Sequence, residues 1–538
     1  MTAVHVECEA SEVALDLQKA NGLYEAAERL MKIGRFRSAL AMLQYGGMRP
    51  AALKMLTEIY RKSMDARDPE FAQGARDLIN AHCPEEERKA LYQRVGGFLA
   101  PEVDSGLLAE AGSVPSGPRT RGARNRVLYV LHNSRPYATG GYATRGHGLA
   151  SGLRAQGIDL LCLSRPGFPA DTDPALEGTE IPALDLIDAV PYHRSETPVF
   201  RRGWNSKEYS VAASQVLEAR IREFDVDCVL AASAYVSALP ALVAARRTGR
   251  PFIYEVRGLW EVARYSAKPV MKTSPIVIAE TFLETHIAKN ADAILTLTGG
   301  MRDELIKRGV APEKITLVPN SCDPSKFVPR ARDAALGREL GIPDGVPVIG
   351  YIGTFVQYEG LDDLTRACGI LRRRGVDFRL LLVGSENTLT NNHGPIRKAI
   401  ERIAAEEGIT DKVILAGRVP HEQVHGLYSL IDVAPFPRKP QPVTEMVSPM
   451  KPLEALSMEK AVLVSSVQAL AEMVVPNETG LVFAKGDLNS LADGLERLIR
   501  DADLRQTLGR NARDWVERNR TWERTASTAK MVLDGFLD

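Results

Sequence analysis

The stretch Pro435–Glu454, PFPRKPQPVTEMVSPMKPLE, concentrates residue types that could do chemistry. Proline at this density excludes regular structure, so the segment reads as a shaped loop. It closes on Ser448-Pro449, an N-cap residue followed by proline at the first helical position, with Met450 behind. Lys451 then falls in the first helical turn, where a cation opposes the helix dipole. An anion held at that helix start reverses the balance. Arg438 supplies a second cation, and Glu454 lies one turn in, where a carboxylate can accept two ribose hydroxyls. The combination reads as a cradle for a nucleoside diphosphate; the plainer alternative is a capped helix with solvated charges.

Other positions could serve the same cleft. Gly140-Gly141 stands between a strand-like run and a helix, where the backbone can approach a phosphate or an acceptor; an ordinary tight turn is the alternative. Gly350–Gly360, GYIGTFVQYEG, ends a strand in a glycine turn before a helix. Gly353, Thr354 and Tyr358 are the donor contacts expected there. The segment lacks GxGxxG and GK[ST], so dinucleotide and P-loop nucleotide sites recede. YEVRGLWE brings Glu255 and Arg257 to a strand end, either as phosphate or acceptor contacts or as a buried ion pair. His132 and His147 flank the Gly140 loop as turn or helix residues. The run from Pro191 to Ser210 gathers Arg194, Arg201, Arg202 and Lys207 among aromatics. It reads as a solvated loop or as a contact for a phosphorylated lipid acceptor or membrane surface.

These residues need elements to position them. From Arg126 the texture alternates: strand-like runs RVLYVL, IDLLCLSR, DCVLAAS, RPFIYEV and ADAILTLT are separated by helical stretches. A second series follows from about residue 346: VPVIGYIG, FRLLLVGS, KVILAG, DVAPFP, AVLVSS and GLVFAK. Alternation of this kind gives parallel sheets wound on both faces. Two such domains face a cleft at the carboxyl ends of their strands, where ligands bind.

Residues 1–100 read as short amphipathic helices. Leu23, Ala26, Ala27, Leu30 and Ile33 keep helical spacing up to Gly34, and Phe36, Ala39, Leu40 and Leu43 repeat it. Stacked helical hairpins of tetratricopeptide type are expected, as a partner-binding domain or as a cap on the rest. Residues 101–125 are rich in Pro, Gly, Ser and Arg and read as a linker. The 538 residues carry 68 basic and 68 acidic side chains, which gives no basic surplus for a nucleic-acid partner. Six scattered cysteines without a CxxC pair exclude a zinc-ribbon pattern and fit a reducing compartment. No signal peptide or membrane-spanning run is read, so a cytoplasmic location is expected, with peripheral contact at the membrane's inner face left open.

The segment TEMVSPMKPLEALSMEKAVLVSS, the approach GRVPHEQVHGLYSLIDVAPFP, and ADAILTLTGGMRDELIKRGVAPEKITLVPNSCDPSKF together resemble glycosyltransferase family 4 over residues 126–538. YEVRGLWE and GTFVQYEGLDDL resemble its exopolysaccharide and surface-glycan branch. The resemblance implies the GT-B fold: an acceptor-side domain over 126–328, a donor domain over 329–510, and helices over 511–538 that cross back. It implies a UDP- or GDP-linked sugar as donor, a glycan or lipid-linked acceptor, and transfer with retention. No metal ion and no cofactor are expected. The family's ribose glutamate corresponds to Glu454. Its usual partner falls eight positions earlier, at Met446, and Glu445 stands one further back. The family's two diphosphate cations fall at Thr354 and Glu359, which carry no positive charge, so Lys451 and Arg438 are expected in their stead. The histidine region of the first domain falls at Ala231–Tyr235 and holds no histidine. Catalytic roles are thus expected for Lys451, Arg438 and Glu445. Other readings on the same fold are an epimerase, a sugar-phosphate synthase, or an inactive module serving a helical-repeat interaction protein.

Overall fold

The computed structural model describes residues 23–32, 35–46, 55–56, 58–59, 78, 103–113, 125–176, 179–195, 206–386, 394–420 and 423–537. The first domain is built on an eight-stranded sheet in the order β3-β4-β2-β1-β5-β6-β7-β8. Its strands are β1 (Arg126–Leu131), β2 (Asp159–Ser164), β3 (Leu184–Ile187), β4 (Val190–His193), β5 (Cys228–Ala232), β6 (Phe252–Val256), β7 (Ala293–Thr296) and β8 (Ile315–Leu317). All pair in parallel except the β3–β4 hairpin. That hairpin was not anticipated; it turns the start of the expected Pro191 loop into β4, held between β2 and the edge strand β3.

Strand periodicity explains how the sheet acquires two covered faces. Along β1, Leu128 and Val130 join the core that holds Leu239 and Leu242 of the helix Tyr235–Arg247. Val127, Tyr129 and Leu131 join the opposite core, with Leu149 and Leu153 of the helix Gly141–Ala155. The second domain carries a six-stranded, wholly parallel sheet, β11-β10-β9-β12-β13-β14. Its strands are β9 (Val348–Ile352), β10 (Arg379–Val383), β11 (Val413–Gly417), β12 (Val433–Phe436), β13 (Ala461–Ser465) and β14 (Leu481–Phe483). Two doubly wound α/β domains in this order make a GT-B fold.

The chain passes between the domains twice. The first passage follows β8, with Val318 in the first domain's core and Phe327 in the second's. The second comes between the helices Ala502–Asn519 and Trp522–Leu537. The former keeps Leu508, Ala512 and Val516 in the second core, so the chain changes domain after Asn519 and not at 511. The two passages lie side by side: the Cys322 N–H donates to the Arg520 carbonyl at 3.0 Å, and the Ser321 and Thr525 hydroxyls meet at 2.6 Å. The last helix then settles on Gly148 and Gly152. A Cβ at Gly148 would lie 2.3 Å from the Trp522 ring, and one at Gly152 would lie 2.7 Å from the Ala526 Cβ.

Two expectations change. Part of the expected linker is a helix, Ser105–Ala111, whose first N–H groups are capped by Asp104. Leu107 and Ala111 bury into the first domain, and Glu110 pairs with Arg247 at 2.5 Å. Apolar side chains on one face outweigh the flanking Gly and Pro. Of the expected helical domain, the helices Leu23–Lys32 and Phe36–Gly46 are described, burying Ala26, Ala27, Leu30, Ala39, Leu40 and Leu43. Beyond them, Met55, Leu56, Ile59 and Leu78 are helical and buried. Apart from residues 35 and 58, the remainder of residues 1–100 lies outside the described residues.

Candidate active site

Strand β12 ends at Phe436, and the proline-rich loop that follows folds into a short helix, Pro442–Met446, before the helix Lys451–Ser457 begins. That helix starts two residues later than the sequence indicates. Met450 occupies the cap position without a side-chain bond, and proline stands at 452. Lys451 is therefore the first helical residue. Its Nζ donates to both Glu454 oxygens, at 3.0 and 2.8 Å, and the Tyr428 hydroxyl donates to Glu454 Oε2 at 3.3 Å. Cation and carboxylate thus share one turn, and Lys451 keeps a third of its side chain open to solvent.

Ser448 does not cap the helix. Its carbonyl and hydroxyl oxygens accept from Asn320 Nδ2, at 2.9 and 3.2 Å, across the domain boundary. Arg438 is not a free cation: its Nε and Nη2 clasp the Glu359 carboxylate, with Nη2 at 2.6 Å, and its Nη1 donates to the Val447 carbonyl. Burial works against the guanidinium charge, but Glu359 overrides it and holds the group's pKa above its ordinary value. Arg438 thus stands in a buried ion pair that shapes the loop, beside the Tyr358 ring. The Thr354 carbonyl accepts from the Tyr351 hydroxyl at 3.3 Å, and Gly353 packs so closely on Gly384 that a Cβ on the latter would meet its carbonyl at 1.8 Å.

Glu445 is likewise committed elsewhere. Its carboxylate takes Lys485 Nζ at 2.7 Å and the Gln468 N–H at 2.8 Å. Met446 and Val447 instead pack against the first domain's core, with Val443 and Tyr358. The Val443 N–H donates to Ser266 Oγ at 3.1 Å, and Thr298 Oγ1 donates to the Met446 carbonyl at 2.5 Å. The apolar residue at position 446 thus serves contact between domains.

Opposite this loop, Gly140 caps the helix Gly141–Ala155. A Cβ at Gly141 would sit 3.6 Å from the Met450 Cε, so the two helix starts singled out in the sequence face each other. Glu255 and Arg257 lie just beneath, both buried. Glu255 accepts from Arg145 Nε and Arg257 Nε, each at 2.8 Å, and from the Tyr129 hydroxyl. Arg257 also donates to the Tyr142 carbonyl and the Tyr129 hydroxyl. Burial would raise the Glu255 carboxyl; Arg257 and Arg145 override it and hold it below the usual range. The buried-pair alternative is the one the structure takes. His147 bonds Tyr192 and Asp188, and His132 bonds Ser237 with its ring edge-on to Trp260.

Arg145 and Asn320 were missed in the sequence. Arg145 binds the carbonyls of Val318 and Pro319 and the Asn320 Oδ1, so one chain of polar contacts runs from Glu255 to Ser448. Asn320 follows a strand-like run, ITLVPN, and so stands at a carboxyl edge; the rule that flagged Glu255 and Arg257 applies to it equally.

Comparison with known proteins agrees with this architecture. Residues 140–321 match the glycosyl transferase 4-like domain model, and residues 334–515 match the glycosyl transferases group 1 model. A D-inositol 3-phosphate glycosyltransferase of Stackebrandtia nassauensis is 26% identical over 76% of this chain and 90% of its own length. The alpha-D-kanosaminyltransferase of Streptomyces kanamyceticus is 27% identical over 45% of this chain and 58% of its own length. Among solved structures, sucrose-phosphate synthase of Thermosynechococcus elongatus superposes with a TM-score of 0.60 at 21% identity, over 76% of this chain and 98% of that one. Anabaena HepE in complex with UDP superposes with a TM-score of 0.58 at 14% identity, over 76% of this chain and 100% of that one. The chain carries the two domains of a GT-B glycosyltransferase, a glycosyl transferase 4-like domain followed by a glycosyl transferases group 1 domain.

Proposed function

We propose that this chain transfers a sugar, with retention, from a nucleoside-diphosphate sugar to a hydroxyl of a glycan or lipid-linked acceptor. The observation that carries the reading is Lys451 and Glu454 on one turn, facing Gly140-Gly141 across the cleft. The ribose takes Glu454 as hydroxyl acceptor, and Lys451 swings from Glu454 to the diphosphate, where it meets the charge that grows on the leaving group. Backbone N–H groups at the start of the helix Gly141–Ala155 meet phosphate or acceptor oxygen. The acceptor hydroxyl attacks on the face the diphosphate leaves, and a departing phosphate oxygen takes its proton. The UDP bound in the HepE structure, on the same fold, supports a uridine donor.

The test is a thermal-shift screen against nucleoside diphosphates and their sugars without added metal, since a ligand of the native state raises Tm by mass action. One nucleotide class should shift the wild type and fail to shift Glu454→Ala. The anomeric configuration of the product, read by NMR, then decides retention. No shift with any nucleotide would overturn the reading.

A further inference from the structure

The exposed apolar residues of the first domain are unevenly placed. Val270, Ile278 and Phe282 are each at least half exposed, and all three belong to one stretch. It comprises a 3-10 turn, Pro269–Thr273, and the helix Pro275–Asn290. Ile278 and Phe282 stand one turn apart, so they share the outer face. The inner face is fixed: Ile276, Val277, Leu283 and Ile287 are buried, and Glu284 accepts from the Tyr235 N–H at 2.6 Å. The same helix therefore has a seated side and an apolar outward side.

Charge on this surface is one-sided. Lys268, Lys272 and Lys289 are exposed, while the stretch's two acids, Glu280 and Glu284, are buried. Glu280 is held by Arg264 at 2.9 Å. In a chain with equal numbers of acids and bases, a surface with three cations, three large apolar side chains and no exposed carboxylate is a local departure. Apolar groups that enter the headgroup region, flanked by lysines, fit an anionic lipid bilayer. Among the described residues no helix is long and apolar enough to cross a membrane.

We propose that residues Lys268–Lys289 form a docking surface for an anionic lipid bilayer. The surface lies beside the cleft: the helix Trp260–Ala267 leads directly into it, and Ser266 of that helix accepts from Val443 in the donor loop. Docking there holds the acceptor side of the cleft near the lipid plane, suited to a lipid-borne acceptor. The proposal stands apart from the expected Pro191–Ser210 contact, since residues 196–205 lie outside the described residues.

The test is flotation of the full chain with phosphatidylglycerol-containing vesicles and with pure phosphatidylcholine vesicles. The wild type should float with the anionic vesicles and be released by raised salt. Ile278→Ser/Phe282→Ser and Lys268→Glu/Lys272→Glu should each lose binding by about tenfold or more, with unchanged Tm. Leu184→Ser/Leu186→Ser, on the exposed strand β3, is the control and should bind as wild type. Three results would overturn the proposal. One is no flotation of the wild type. The second is equal flotation of all variants. The third is a lowered Tm or a changed oligomeric state in Ile278→Ser/Phe282→Ser without lipid, which would mean that protein covers the face. Because flotation needs no nucleotide, its outcome is independent of the donor reading.

Discussion

Asn320 Nδ2 lies 2.9 Å from the Ser448 carbonyl oxygen, while Asn320 Oδ1 accepts from Arg145. One amide thereby ties the first passage between the domains to the loop that leads into the Lys451 helix. Asn320→Ala leaves a buried carbonyl and a guanidinium short of partners, at a cost of about 1–3 kcal/mol. The expected result is a lower denaturation midpoint together with weaker nucleotide binding. Asn320→Asp should not rescue binding, because a carboxylate cannot donate to Ser448.

Lys451 and Glu454 hold each other without ligand, so their removal should separate binding from turnover. Lys451→Ala is expected to lower kcat about 100-fold or more, the scale of losing a charge aimed at the leaving group. Glu454→Ala should act mainly on nucleotide affinity. Steady-state kinetics with the donor found by thermal shift distinguishes them, and near-wild-type turnover in Lys451→Ala would remove it from the leaving-group role.

Arg438 and Glu359 form a buried ion pair, and breaking such a pair costs about 3–5 kcal/mol. Glu359→Ala and Arg438→Ala should each lower the denaturation midpoint strongly. The double variant Glu359→Met/Arg438→Met should recover much of the loss and retain nucleotide binding. Loss of binding in a stable double variant would return Arg438 to the diphosphate.

Gly148 admits the Trp522 ring, and any side chain there collides with it. Gly148→Ala is expected to destabilise by about 1–3 kcal/mol through displacement of the last helix. Trp522 fluorescence should shift toward that of an exposed indole. Gly157→Ala, where a Cβ meets open space but φ is +86°, tests backbone strain alone.

Glu284 carries a pH signature. Its burial, reinforced by the charge of Glu261, raises the carboxyl from 4.5 to about 8. The native state therefore holds this proton more tightly than the unfolded chain does. The stabilisation is complete below the unfolded pKa and is lost as pH rises towards the folded one. Denaturation midpoints between about pH 5 and pH 8 should fall in the wild type and fall less in Glu284→Gln, which keeps a neutral acceptor for the Tyr235 N–H.

What the sequence by itself determined is the architecture and the address of the cleft. Alternating runs such as RVLYVL and FRLLLVGS become parallel strands because their apolar residues must be covered on both faces, and that pattern is local. The glycine pair at 140–141 and, to within two residues, the helix start near Lys451 were legible because glycine turns and helix starts are written in adjacent residues. What only the tertiary structure decided is which charges are spent and which remain for a ligand. Arg438 meets Glu359 from 79 positions away, Glu445 meets Lys485 across 40, and Arg257 shares Glu255 with Arg145, 110 positions away. The same holds for Gly148 and Gly152, whose use appears only when the final helix returns to cover them. Such partnerships depend on which elements the chain brings together, and a charge reads the same in sequence whether its partner is a carboxylate or a substrate.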